Sequence, residues 1–313
     1  MKLCPVALLC LALSVFASAQ EATPPAPPNL LAEASATPAL DLIPGSDGKL
    51  SQEQLQGLIR VAAQNYRANY KKLRDYTFTE RDVEHKLDGK GNVKSTESKT
   101  YELMQLYGEP VNRLIEKDDK PLSAQDAAKE DERIQKLTDK RKNESEQERK
   151  RREAEEEKRH EKGREFVSEV ADAYNFDLID SEIVNGRDAW VIAAEPKPGF
   201  QAHLKEAEML SKIHGRLWID KQEMQLAKID IAVLDTLSFG WILARIHPGT
   251  RFVYECTKIN DEVWLPLRYQ ALLDARIALF RKDSEQDEGS YRDYKKFRTS
   301  SKIVSVGEVR EQK

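Results

Sequence analysis

The sequence predicts an α+β protein, one large and strongly curved antiparallel sheet with helices packed on it. Three observations carry that class. Apolar residues recur at helical spacing over one N-terminal stretch, from Leu55 to Leu73. From Tyr76 onward the apolar period becomes two, in short runs separated by turn signals. Between two groups of such runs lies "QERKRREAEEEKRHEKGRE", Gln147–Glu165, which is almost nothing but charge. Strand runs that follow one another, separated by turns, make one antiparallel sheet with helices packed on it.

The 313 residues suffice for one large domain or two small ones with a real core. Charged residues make up 33%, but the net charge is only −4, so no global field draws the chain to DNA or to an anionic membrane. The first residues read as an export signal. Lys2 supplies the positive region, Leu3–Phe16 the short apolar run and Ala17-Ser18-Ala19 the cleavage site, giving a signal peptide over 1–19. The run is short for a membrane span, and no later stretch is apolar enough to be one. The mature chain is thus expected to be exported to the periplasm without a transmembrane segment. A lipid-anchored alternative would acylate Cys10, but Leu9 is large for that motif and the apolar run continues past the cysteine. Once the signal is removed, Cys256 is the one remaining cysteine, expected as a small buried residue in a strand.

The elements follow in order. Residues 20–48 are a Pro-rich linker, with Pro24, Pro25, Pro27, Pro28 and Pro38 among small polar residues. One domain is expected over 49–313. The pair Asp47-Gly48 lacks the other ligands of a calcium loop and reads as a turn. Ser51 with Gln54 forms a capping box, and Leu55, Leu58, Ile59, Ala62, Tyr66, Tyr70 and Leu73 make the stripe of a helix. A meander follows: Tyr76 and Phe78 alternating with threonines, a turn at Asp88–Asn92, a second strand ending at Tyr107, and a third over Val111–Ile115. Ser123 can cap a charged helical insertion over 123–165, which docks only at its C-terminal end through Phe166, Val167, Val170, Ala171 and Tyr174. Strands resume over 176–184 and 189–194 around Asn185-Gly186. A loop or short helix lies near 199–213. Strands are then expected over 215–220, 226–234, 238–246, 251–259, 263–273, 276–282 and 291–297, with an acidic loop over 283–289.

The alternation defines an apolar sheet face. Leu217 and Ile219 lie on it, as do Ile229, Ile231 and Val233, Phe252 and Tyr254, and Leu265, Leu267 and Tyr269. Two helices cannot cover so large a sheet unless it curls. These ten residues either pack on each other and on the helices or line a concave pocket for an apolar ligand. Trp190, Trp218, Trp241 and Trp264 fall in strands and serve as packing or as ligand lining. No metal is expected, because His85, His160, His203, His214 and His247 lack the short spacings that place two imidazoles on one ion. The sequence lacks a nucleophile elbow, a phosphate loop and a dinucleotide fingerprint, so neither catalytic residues nor a cofactor is expected.

The helix carrying "NYRANYKKLRDYTFTE", the strands "GRLWIDKQEMQLAKIDIAV" and "RFVYECTKINDEVWLPLRYQ", and the last strand "YRDYKKF" resemble, in order and shape, the periplasmic lipoprotein-carrier superfamily. These are the LolA/LolB-like and outer-membrane lipoprotein-sorting-like proteins. The resemblance covers about Ser51–Ile115 and Phe166–Phe297. It implies an unclosed half-barrel that holds acyl chains under helices, with lipid or an acylated protein as the partner and no catalysis. The linker and the charged insertion depart from the simple carrier. They leave a second reading, a cell-envelope interaction module whose charged helix binds a protein partner.

The charged run itself is not a nucleic-acid arm, since its acids and bases nearly balance. Nor is it a coiled-coil seam, because Gln147–Glu165 has only Ala154 for the core positions. Glu146–Lys150, Glu148–Arg152 and Glu155–Arg159 are spaced to support a solvated helix, about 55 Å long from Lys129 to Glu165 if continuous.

Overall fold

The computed structural model describes Leu42 and residues 49–296, apart from Arg74, Gly108, 240–243 and 278–280. The export signal, most of the linker, Asp47-Gly48 and Trp241 lie outside the described residues. Helix α1 (Gln52–Leu73) begins at the expected capping box. The Ser51 amide donates to Gln54 Oε1 at 2.8 Å, and the Gln54 amide donates to Ser51 Oγ at 3.2 Å. Its apolar stripe is buried at Leu55, Leu58, Ile59 and Ala62.

Strands β1 (Tyr76–Leu87), β2 (Val93–Leu106), β3 (Glu109–Lys117) and the two-residue β4 (Lys120–Pro121) form the first meander. Helices α2 (Ala124–Lys142) and α3 (Glu146–Ala173) interrupt the strands. Then come β5 (Tyr174–Val184), β6 (Arg187–Pro196), a 3-10 turn at Lys205–Lys212, β7 (Ile213–Asp220) and β8 (Leu226–Val233). Short β9 (Leu237–Phe239) and β10 (Ala244–Ile246) precede β11 (Arg251–Ile259), β12 (Val263–Ile277) and β13 (Arg281–Lys296). The order across the antiparallel sheet is β4-β3-β2-β1-β13-β12-β11-β8-β7-β6-β5, with β10 paired to β12 and β9 to β10. The edges β4 and β5 do not pair, so the sheet is an open half-barrel.

The curl has local causes. Register breaks interrupt β1–β13, β1–β2, β2–β3, β5–β6, β7–β8 and β11–β12. Each unpaired residue bends its strand and adds twist. At Gly215 the β7 and β8 backbones approach so closely that a Cβ would lie 2.4 Å from the Asp230 carbonyl oxygen. Only glycine fits there.

Helix α1 packs on β5, β8, β12 and α3 and so crosses the concave face. An amide side chain at each end ties it to a strand backbone. Gln52 accepts from the Phe176 amide at 2.9 Å and donates back to its carbonyl. Asn69 accepts from the Trp264 amide at 2.7 Å and donates to its carbonyl. Buried backbone groups left without partners would each cost about 1–3 kcal/mol, so these two residues hold the helix in place as well as satisfying the strands.

Four sequence expectations need correction. The charged insertion is two helices rather than one rod. The chain breaks at Asn143–Ser145, where Ser145 and Glu148 form a new capping box. Glu148 is therefore engaged at the cap, and Arg152 pairs with Glu144 at 2.9 Å instead, while Glu146–Lys150 forms as expected at 2.8 Å. Nor does the insertion dock only at its C-terminal end. Ile134 on α2 is 2% exposed, and Glu130 accepts the Leu114 amide of β3 at 2.9 Å. The expected strand over 238–246 is instead β9 and β10 at either end of it. Finally, the acidic "loop" over 283–289 is the middle of β13, paired on both sides with β1 and β12.

Candidate functional site

The concave face does not fill. Between the sheet and helices α1 and α3 lies a hollow of about 450 Å³. Its walls come from Ile59, Ala62 and Tyr66 on α1, Phe166 and Val170 on α3, and inward residues of β5 to β8, β11 and β12. The volume falls in the range of about 300–1,000 Å³ typical of small-molecule sites.

Seven of the ten apolar-face residues read from the sequence line it: Leu217, Ile219, Ile229, Ile231, Phe252, Tyr254 and Tyr269. Cross-strand register brings them together, with Leu217 opposite Ile229, Ile231 opposite Phe252 and Tyr254 opposite Tyr269. Val233 does not line the hollow; it is buried beside it with Ile213, Leu237 and Ile246. Leu265 is fully buried with Tyr76 and Val263 against Leu73 of α1. Leu267 is the extra residue of a bulge, since Glu255 pairs with Arg268 while Cys256 pairs with Pro266. The bulge removes Leu267 from the ladder and breaks the alternation that had placed 263 to 271 on one face.

Sequence reasoning missed the polar end of the hollow, which lies on β1 and β13. Continuing the alternation of β1 from Phe78 puts Glu80 and Asp82 on the same face, so the signal was a run that turns from aromatic to acidic. Glu80 lines the hollow with Tyr291. It accepts from Asn112 Nδ2 at 3.2 Å and from the Tyr291 hydroxyl. Burial, reinforced by the neighbouring Asp82 carboxylate, pushes the Glu80 carboxyl up to about 7. Burial also raises Asp82, against a hydrogen bond from Tyr269 and the charge of Lys99. The hydroxyls of Tyr269 and Tyr291 are raised for the same reason, and the carboxylates beside them add to it.

Tyr269 reaches Asp82 across an intervening strand. In register, Gly289 of β13 stands between Asp82 of β1 and Tyr269 of β12. The Tyr269 ring lies over that glycine, so close that a Cβ would fall 1.9 Å from its Cε1. Its hydroxyl then donates to Asp82 Oδ1 at 3.0 Å. The ring continues an aromatic row along the floor. Phe252 lies 6.2 Å from Tyr269, Tyr269 6.4 Å from Tyr291, and Tyr291 5.7 Å from Phe78.

The opposite sheet face holds a second concavity of about 560 Å³, lined by Lys228, Asp230, Arg251, Glu255, Arg268 and Gln270 among others. Its charges satisfy one another: Arg251 pairs with Asp230 at 2.7 Å, and Glu255 takes both Arg268 at 2.8 Å and Lys228 at 3.4 Å. Cys256 is buried in β11, which raises its thiol to about 12 and leaves it unreactive. Trp218 and Trp264 pack on the face away from Ile192 with Val191 and Ala227, and neither they nor Trp190 line the hollow. Among the described residues no group of three His, Cys, Asp or Glu side chains is placed to hold a metal ion. His85 instead meets Thr96 Oγ1 at 2.8 Å, and His214 meets Glu195 at 3.2 Å.

No family model and no curated protein matches the chain. Solved structures do show similarity. A domain described as an outer membrane lipoprotein-sorting protein from Vibrio parahaemolyticus is 12% identical, covering 78% of this chain and 95% of its own, with a TM-score of 0.32. A LolA superfamily protein from Nitrosomonas europaea is 9% identical, covering 78% and 93%, with a TM-score of 0.30. A DUF1329 family protein from Desulfovibrio piger is 10% identical, covering 80% and 94%, with a TM-score of 0.26. The superfamily that the sequence resembles thus appears among its structural neighbours.

Proposed function

We propose that this protein is an exported, non-catalytic holder of an apolar, chain-like molecule such as a lipid or the acyl group of a lipoprotein. A cleaved signal over 1–19 and a linker over 20–48 would deliver one ligand-binding domain to the periplasm. The observation that supports this is the hollow itself. A well-packed interior has few voids larger than a water molecule, yet about 450 Å³ stays open here under two helices. The walls are aliphatic and aromatic, which suits a hydrocarbon chain. Each methylene taken out of water contributes about 0.8 kcal/mol. A ten-carbon chain therefore gains roughly 8 kcal/mol before the association cost of at least ~4 kcal/mol, enough for weak reversible binding. Among the described residues no helix is long and apolar enough to cross a membrane.

The test is native mass spectrometry and solvent extraction of protein purified from its own host, followed by titration of the stripped protein with a fluorescent fatty-acyl probe. Co-purifying lipid or saturable probe uptake that Ile229→Arg abolishes is the expected result. Stripped, folded protein that takes up no probe overturns the proposal.

A further inference from the structure

The lining of the hollow is asymmetric, and the asymmetry bears on which ligand fits. Among the described residues, three charged or ionisable ones other than tyrosine touch it: Glu80, His214 and Arg216. The alternation of β7 puts Leu217 and Ile219 on the concave face, and therefore the side chains of His214 and Arg216 on the other face. His214 accordingly meets Glu195, and Arg216 is an exposed cross-strand neighbour of Asp230. Glu80 is thus the one charged side chain among the described lining residues that faces the hollow. It lies at the solvent side, because its partner Asn112 is exposed on β3. An ionised carboxylate can accept about four hydrogen bonds, and Glu80 uses two, from Asn112 and Tyr291. Tyr269, next along the aromatic row, is turned away by its bond to Asp82, a second carboxylate on the same face of β1.

We infer that Glu80 reads the polar end of the ligand and selects a single-chain amphiphile whose head group donates hydrogen bonds and carries no negative charge. The hydrocarbon lies along the floor from Tyr269 toward Ile229 and Leu217. The head stops at the Glu80 mouth, where an ammonium or hydroxyl donates to the free lone pairs. A carboxylate or phosphate head would instead be brought against Glu80 and Asp82; the nearest base on that face, Lys99 opposite Asp82, is engaged by Glu97 at 3.0 Å and is not part of the lining. Like charges in such a partly desolvated site repel far more strongly than in water.

This inference rests on the apolar-ligand reading, and one experiment separates the two. Decylamine, decanol and decanoate, below their micellar concentrations at pH 8, compete with a fluorescent acyl probe on stripped protein and on Glu80→Gln. Thermal melts and probe affinity of Glu80→Gln confirm that the hollow is intact. The expected result is that decylamine binds at least tenfold more tightly than decanoate, with decanol between. In Glu80→Gln the amine and carboxylate should come within threefold of each other. If all three bind wild type equally, the hollow stands and the selectivity falls. A preference that survives in Glu80→Gln removes Glu80 as its reader. If neither the probe nor any decyl compound binds, the apolar-ligand reading fails and this one with it.

Discussion

Replacing Gly289 by alanine tests the floor of the hollow in a way that isolates one contact. The new methyl would lie 1.9 Å from Tyr269 Cε1, 2.4 Å from Cδ1 and 2.7 Å from Cζ. Carbon atoms settle about 3.5–4.0 Å apart, so the ring must move by more than about 1.5 Å. Forced repacking of this kind costs about 1–3 kcal/mol. The ring is also tethered, because its hydroxyl donates to Asp82 at 3.0 Å. Losing a hydrogen bond to a carboxyl adds about 1.5 kcal/mol. Gly289→Ala should therefore destabilise the protein by about 3 kcal/mol. In a Tyr269→Val background the ring is gone, and the same substitution only replaces a strand glycine, which stabilises by about 0.5 kcal/mol. The coupling in the double-mutant cycle is then about 3.5 kcal/mol, far above the ~0.5 kcal/mol scatter of independent sites. Urea unfolding of the four proteins at pH 7, compared at equal m-values, measures it. An equal cost for Gly289→Ala in both backgrounds would refute the account of the tyrosine lying over the glycine.

Other outcomes follow from the same geometry. Glu80 has a folded-state pKa near 7 against an ordinary 4.5, so burial favours its protonated form. The stability this brings is complete below about pH 4.5 and is lost as pH rises through 7. The loss is about 3 kcal/mol at 1.36 kcal/mol per unit, and Glu80→Gln should flatten that decline in urea melts between pH 5 and 8.5. Leu265→Ala should cost about 3 kcal/mol, because Leu265 is fully buried. Leu267→Ala, at the bulge, should cost about 1 kcal/mol or less in the same melts. Ser145→Ala removes the capping box of α3 and should cost about 1 kcal/mol, visible as faster amide exchange over residues 146–150. Ile134→Ala should loosen α2 from β3 by about 2 kcal/mol, raising exchange across 124–142 while leaving probe binding in the hollow unchanged.

What the sequence determined by itself is what short-range physics determines. Periods of 3.6 and 2 separated α1 from the strands. Ser51 with Gln54 marked the start of α1 and Ser123 that of α2, and Asn185-Gly186 marked a hairpin that forms with both residues at positive φ. Alternation along β7, β8 and β11 placed six of the lining residues, because β8 and β11 pair without a break and the one shift between β7 and β8 falls at Ala227, outside Ile229 and Ile231. Tertiary structure decided the rest, for three physical reasons. Bulges such as that at Leu267 shift a face by one residue, and only the partner strand reveals them. Backbone pairing on both sides overrode composition in β13, where "DSEQDEG" reads as a loop until β1 and β12 offer it two ladders. And the contact of Tyr269 with Asp82 over Gly289 joins three strands, with Tyr269 and Asp82 themselves 187 residues apart. No local pattern carries such a contact, because it exists only once the last strand has inserted between the first and the twelfth.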